Sequence, residues 1–357
     1  MITFAIGLSI ILLLVILFLL FRIGTLASIF RGSSQRAAGT TKTSNKVNST
    51  LLLLFLILGG AAFIWSFAGS WEKMNLPLAS VHGEWTDSLF WTTMIVIGIV
   101  FAITQILLFW YSYKYQHKDN KRAFYYPHNN KLEIVWTMIP AVVMALLVFA
   151  GWKTWSKITS ASPEDAVVIE VMGKQFNWMV RYPGEDEKLG VANYKLIDAV
   201  NEFGVDFSDP NALDDIINPT EIHVPKGQPV LLKIRSRDVI HSVFMPHFRL
   251  KMDAVPGMPT KFWFVPTKTT AEMRNETGNP EFKYELACAE VCGRGHFAMR
   301  FIVVVDEPED YQAWLESQST FTEQNPDILT KFASSGMNSL SKDVVKAEPA
   351  EEVKTEL

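Results

Sequence analysis

Long uncharged runs fill the first 156 residues, and short alternating runs fill most of the rest. The apolar stretches are 1–21, 51–69, 88–113 and 134–152, and none carries Lys, Arg, Asp or Glu. A helix needs about 20 such residues to cross a bilayer. Four membrane helices are therefore expected. From 160 to 306 the pattern becomes runs of β-branched and aromatic residues separated by turn formers. Strands are expected at 166–172, 174–182, 220–224, 229–235, 261–265, 281–287 and 299–305. Short strands at this spacing predict an antiparallel sandwich. Residues 183–219, rich in Gly, Asp, Asn and Pro, read as a long excursion between strands. A short amphipathic helix is expected at 307–317. The polar tail, 319–357, is expected to be disordered.

Charge orients the helices. Residues 22–50 hold Arg22, Arg31, Arg36, Lys42 and Lys46 with no acid, and 114–133 hold Lys114, Lys118, Lys121, Arg122 and Lys131. The loop between them, 70–87, has only Lys73 beside Glu72, Glu84 and Asp87. The excess of cations in cytoplasmic loops places both basic loops inside and everything after about residue 155 outside. A cleaved signal peptide fits 1–21 less well, because that run lacks a basic leader and is long. Residues 1–156 carry 12 of the 33 Lys and Arg and 5 of the 37 Asp and Glu, a formal +7. The remainder is −11, giving the chain its −4. An acidic outer half suggests a cationic partner and excludes nucleic acid.

Only two cysteines are present, so no disulfide framework is possible. Without C-x-x-C-H, the chain carries no covalently attached c-type haem. Cys288, Cys292, His296 and Met299 fall within twelve residues, in C-A-E-V-C-G-R-G-H-F-A-M. Thiolate, imidazole and thioether together are the ligand class of copper electron-transfer sites. A second imidazole must come from elsewhere, and His241 in R-D-V-I-H-S is the best candidate. One blue-copper ion needs one cysteine; two cysteines four apart could bridge two ions. A simple disulfide is the competing reading of the pair alone. His223 reads as a surface or core residue, and His247 is left outside the site.

The pattern C-x-E-x-C-G-x-x-H-x-x-M, with D-V-I-H-S and D-A-V-P-G at 253–257, resembles cytochrome c oxidase subunit II over roughly residues 85–316. The resemblance implies a helical membrane anchor followed by an all-β cupredoxin-like sandwich that houses binuclear copper A. It also implies that Cys288 and Cys292 bridge the two coppers, with His241 and His296 binding one each. Met299 and the backbone carbonyl of Glu290 would be weak outer ligands, and the Glu290 carboxylate would reach a magnesium ion shared with subunit I. In L-E-I-V-W-T-M-I-P, 132–140, Glu133 matches the glutamate at a proton-uptake channel of subunit I. In G-K-Q-F-N-W, 173–178, Phe176 and Asn177 replace the family's usual Trp and Tyr, while Trp178 remains. Phe176 and Trp178 are the expected electron-receiving pair, with cytochrome c, soluble or held in a supercomplex, as donor.

The expected organisation is two extra N-terminal helices with their basic loop (1–87), the membrane hairpin (88–156), a periplasmic copper A domain (157–318) and a disordered tail (319–357). The implied setting is a multi-pass protein of a bacterial inner membrane, in contact with lipid and partnered by subunit I and other oxidase subunits. Rival readings are the same copper module in a nitric oxide or nitrous oxide reductase, and a membrane-tethered copper-storage or assembly protein. A quinol oxidase branch would lack the copper ligands present here.

Overall fold

The computed structural model describes residues 12–24, 26, 34–118, 120–217, 219–328 and 330. They fall into two compact units, one made of the described residues up to 72 with those of 94–138, the other of 73–93 with the described residues from 139 onward. The apolar runs become helices α1 (Leu12–Gly24), α2 (Ser34–Met74), α3 (Val81–Lys114) and α4 (Asn130–Ile158). Among the described residues three helices, not the expected four, have the length and apolarity to cross a membrane: Ser44–Met74 within α2, then α3 and α4. The short helix α1 covers only part of the first expected span, whose residues 1–11 lie outside the described ones. The apolar windows of the three long helices are not buried, which is what a lipid-facing surface requires. Phe55 meets Phe109 at 5.6 Å and Phe63 meets Phe101 at 6.2 Å, so α2 and α3 pack through aromatic rings.

The second half is a two-sheet sandwich. Its strands are β1 (Val167–Lys174), β2 (Asn177–Tyr182), β3 (Ile216–Ile217), β4 (Ile222–Pro225) and β5 (Val230–Ser236), followed by β6 (His241–Met245), β7 (Leu250–Ala254), β8 (Thr260–Phe264), β9 (Tyr284–Cys288) and β10 (Arg300–Asp306). One sheet has the order β3-β2-β1-β5-β8 and the other β4-β10-β9-β6-β7. The sandwich is mixed, not purely antiparallel as expected: β1 with β5, and β10 with β4, run parallel. Strands β6 and β7 were not expected either. Their stretch contains His241, Pro246 and His247 and lacks a clean alternation, and pairing such as Ser242 with Asp253 is set by the turn between them.

Alternation places Ile169, Val171, Val180, Leu232 and Ile234 of the first sheet against Val243, Met245, Leu286, Val303 and Val305 of the second. On the outer face of the first sheet, Met172 and Met179 are covered by Phe203, Val205 and Phe207 of the long excursion. That excursion therefore builds a second core. The tail contributes to it: Phe321 stacks on Phe207 at 5.4 Å, and Phe321–Gln324 form a capped helix, α7. Order thus extends past 319, the expected start of disorder, and residues 331–357 lie outside the described ones. Two further helices complete the fold, α5 (Thr270–Thr277) and the expected α6, at Pro308–Glu316.

Candidate metal centre

The loop 289–299 leaves β9 and returns into β10, whose register sets Arg300 opposite Ala287. Its ends are tied by Cys288 N–H donating to the Met299 carbonyl (3.1 Å) and Ala289 N–H donating to the Ser242 carbonyl (3.1 Å). On the other side β6 pairs Val243 with Cys288, which delivers His241 to the same place. All the expected soft donors converge there. Cys288 Sγ lies 3.9 Å from Cys292 Sγ, and both cysteines are free. A disulfide needs about 2.05 Å, so the competing reading fails. Cys288 Sγ is 3.8 Å from His241 Nδ1, and Cys292 Sγ is 3.7 Å from His296 Nδ1. Met299 Sδ approaches Cys292 Sγ at 3.8 Å, and the Glu290 carbonyl approaches Cys288 Sγ at 3.1 Å.

This donor set fits a soft metal. His241, Cys288 and Cys292 offer ligand atoms within 4.8 Å of one another, with imidazole and thioether beside them. Burial and the neighbouring Cys288 push the Cys292 thiol up to about 11. The surroundings thus do little by themselves to ionise that sulfur, and a bound cation is the group that would draw it to thiolate.

Residues behind the donors hold them in place. The His241 ring is fully buried and its Nε2 bonds Asp238 Oδ1 at 2.8 Å, which leaves Nδ1 facing the sulfurs. Asp238 also accepts from the backbone amides of Gln175 (2.7 Å) and Val239 (2.7 Å). Partial burial raises its carboxyl, but the Gln175 amide and the His241 ring outweigh that and hold it below the ordinary carboxylate range. Gly173 in β1 lies directly behind the ring, where a Cβ would come within 2.8 Å of His241 Cδ2. Trp178 meets the same ring edge-on at 5.9 Å. The turn between β1 and β2 then lies across the loop. Gln175 Nε2 donates to the Cys292 carbonyl at 2.6 Å, and the Phe176 ring occupies the space that a Cβ on Gly293 or Gly295 would need.

Of the two expected electron-receiving residues, Phe176 is 41% exposed and Trp178 only 1%. The Glu290 side chain turns outward, 3.7 Å from Lys251 Nζ and 45% exposed. Glu133 is exposed in the first turn of α4, within the other unit, and is not among the converging residues. His223 stacks on Trp314 at 4.1 Å and bonds Asp306, and His247 bonds the Pro77 carbonyl, so neither joins the site. Sequence reasoning missed the supporting roles of Asp238, Gln175 and Gly173. Asp238 stands three residues before His241 in the quoted motif, and that spacing was the available signal.

Two family models match, the periplasmic domain of cytochrome c oxidase subunit II over residues 167–306 and its transmembrane domain over 69–153. An alternative cytochrome c oxidase subunit 2 of Bradyrhizobium diazoefficiens is 35% identical over 274 residues, covering 76% of this chain and 92% of the relative. A cytochrome c oxidase subunit 2 of Cereibacter sphaeroides is 29% identical over 267 residues, covering 71% and 81%. Among solved structures, the periplasmic domain of cytochrome oxidase subunit II of Bradyrhizobium japonicum is 25% identical, with a TM-score of 0.30, covering 44% of this chain and 96% of that one. With a relative at 35% identity matched over nearly its whole length, the chain belongs to the cytochrome c oxidase subunit II family.

Proposed function

We propose that the outer domain receives electrons from a cytochrome c at a binuclear copper A centre and passes them to haem in subunit I. The observation that carries this reading is the pair of unbonded sulfurs, each with its own imidazole Nδ1 within 3.8 Å. Cys288 and Cys292 would bridge two copper ions, His241 and His296 would bind one each, and Met299 with the Glu290 carbonyl would be outer ligands. Bound there, a copper pair would supply one-electron redox chemistry. The chain's own residues orient and hold. Asp238 fixes the His241 tautomer, and Gln175 and Phe176 hold the loop in place.

The exposed Glu290 carboxylate supports a magnesium ligand role at the boundary with subunit I. Phe176 is the proposed point of electron transfer from the donor, supported by its exposure over the loop, with buried Trp178 behind the copper ligand His241. We assign Glu133 to the mouth of a proton-uptake path, supported by its place in the first turn of α4. The formal −11 of residues 157–357 would speed encounter with a positively charged donor at low salt. The proposed organisation is two extra N-terminal helices (1–87), a hairpin (88–156) and a copper domain (157–318) in the periplasm of a bacterium, with the first helix as a fourth span of the inner membrane.

Metal analysis and electron paramagnetic resonance of the purified oxidase complex test the reading. Two coppers per subunit II with a mixed-valent signal are expected, lost in Cys292→Ser. A single labile Cu(I) would overturn it in favour of copper storage or delivery.

A further inference from the structure

A cleft of about 720 Å³ opens on the outer face of the first sheet, between the excursion and the β7–β8 turn, beside the metal centre and not part of it. Its chemistry runs against the acidic character of the domain. Lys174, Arg181, Lys233, Arg235 and Arg237 gather in and around it, and among the described residues the ion pairs of Lys174, Arg181, Arg235 and Arg237 are made to Glu170, Glu202 and Asp215. Burial pushes the Asp215 carboxyl up to about 7, against the pull of Arg181, which weakens one of those three counter-charges near neutral pH.

The cations differ in what they still offer. Arg181 is 3% exposed and is held by Glu170, Asp215 and the Gly190 carbonyl. Arg235 spends one nitrogen on Glu170 at 2.7 Å and another on a long bond to the Phe203 carbonyl, and Arg237 pairs with Glu202 through one nitrogen. Both keep N–H groups for a further acceptor, and exposed Lys233, two residues before Arg235 on the same face of β5, lines the cleft with them. The floor is cationic and recessed, so a small anion can reach it while a flat protein surface would stay outside. Apolar side chains flank that floor, Tyr194 of the excursion (74% exposed) on one side and Met258 of the β7–β8 turn (57% exposed) on the other. A cleft of this size with a cationic floor and apolar side chains at its flanks suits a ligand that is part polyanion and part flat apolar ring.

We propose that this cleft binds a nucleoside phosphate, its phosphates on Lys233, Arg235 and Arg237 and its base against Tyr194 and Met258. Equilibrium dialysis of the detergent-solubilised oxidase complex with ADP tests it, comparing wild type with Lys233→Glu and Lys233→Gln. Saturable binding is expected that weakens by about tenfold or more in Lys233→Glu and less in Lys233→Gln, with the metal-centre absorption unchanged in both. Inorganic pyrophosphate should displace ADP but bind more weakly, since it lacks the base. Equal ADP affinity in wild type and Lys233→Glu would overturn the proposal, as would an absence of saturable binding. Displacement by phosphatidylglycerol vesicles and not by pyrophosphate would overturn the nucleoside assignment in favour of a lipid headgroup.

Discussion

Around the metal centre, single atoms decide the geometry. Asp238 accepts three hydrogen bonds, from His241 Nε2 and the amides of Gln175 and Val239, and so couples a donor imidazole to the turn that overlies the loop. Asp238→Ala leaves the imidazole free to rotate, and outer partners of metal-bound histidines are typically worth about 10–100-fold in affinity. Copper titration against a competing chelator should therefore show weaker retention by roughly that factor, with both sulfurs still reactive toward a thiol reagent. Gly295 carries a different constraint. A Cβ there would sit 2.5 Å from Phe176 Cγ, so Gly295→Ala must displace the ring. A cost of about 1–3 kcal/mol is expected for such overpacking. Denaturant titration should show the loss, and pairing the change with Phe176→Ala should recover most of it.

At the scale of elements, the link between β2 and β3 and the segment after α6 act together. Phe321 is 7% exposed, stacked on Phe207, and α7 is held by a capping box between Thr320 and Glu323. Phe321→Ala opens a cavity beneath the excursion and should cost about 3–5 kcal/mol. A lowered denaturation midpoint with unchanged copper content is the expected result, because this core lies on the face away from the inner sheet contacts. Truncation after Gln318 should have a similar effect.

On the scale of the whole outer domain, the buried Arg181 is clasped by Glu170 and Asp215, and Asp215 Oδ1 has no hydrogen-bond partner. Desolvation raises the Asp215 carboxyl from 3.8 to about 7 despite Arg181. The folded state therefore holds a proton that the unfolded chain has lost between those values. Its contribution to stability is full below pH about 4 and is lost as pH rises through about 7. Asp215→Asn, which keeps a neutral side chain at every pH, should flatten that part of the profile. Denaturation of the detergent-solubilised chain at several pH values checks this; an unchanged slope in the variant would sink the assignment to Asp215.

The sequence by itself determined the long uncharged helices, most strands of the sandwich and the identity of the soft donors, because each is written in local periodicity or in one short motif. Cys288, Cys292, His296 and Met299 are neighbours along the chain, so their convergence needs only a tight loop. Tertiary structure decided what depends on distant partners. The parallel pairing of β1 with β5 joins segments about sixty residues apart, β6 is paired with both β7 and β9, and the excursion is anchored to the sheet by covering Met172 and Met179. Gln175 and Gly173 meet the donors because β1 of one sheet packs across the sandwich against β6 of the other, and no local pattern of side chains encodes that approach, whereas Asp238 is a near neighbour of His241 along the chain.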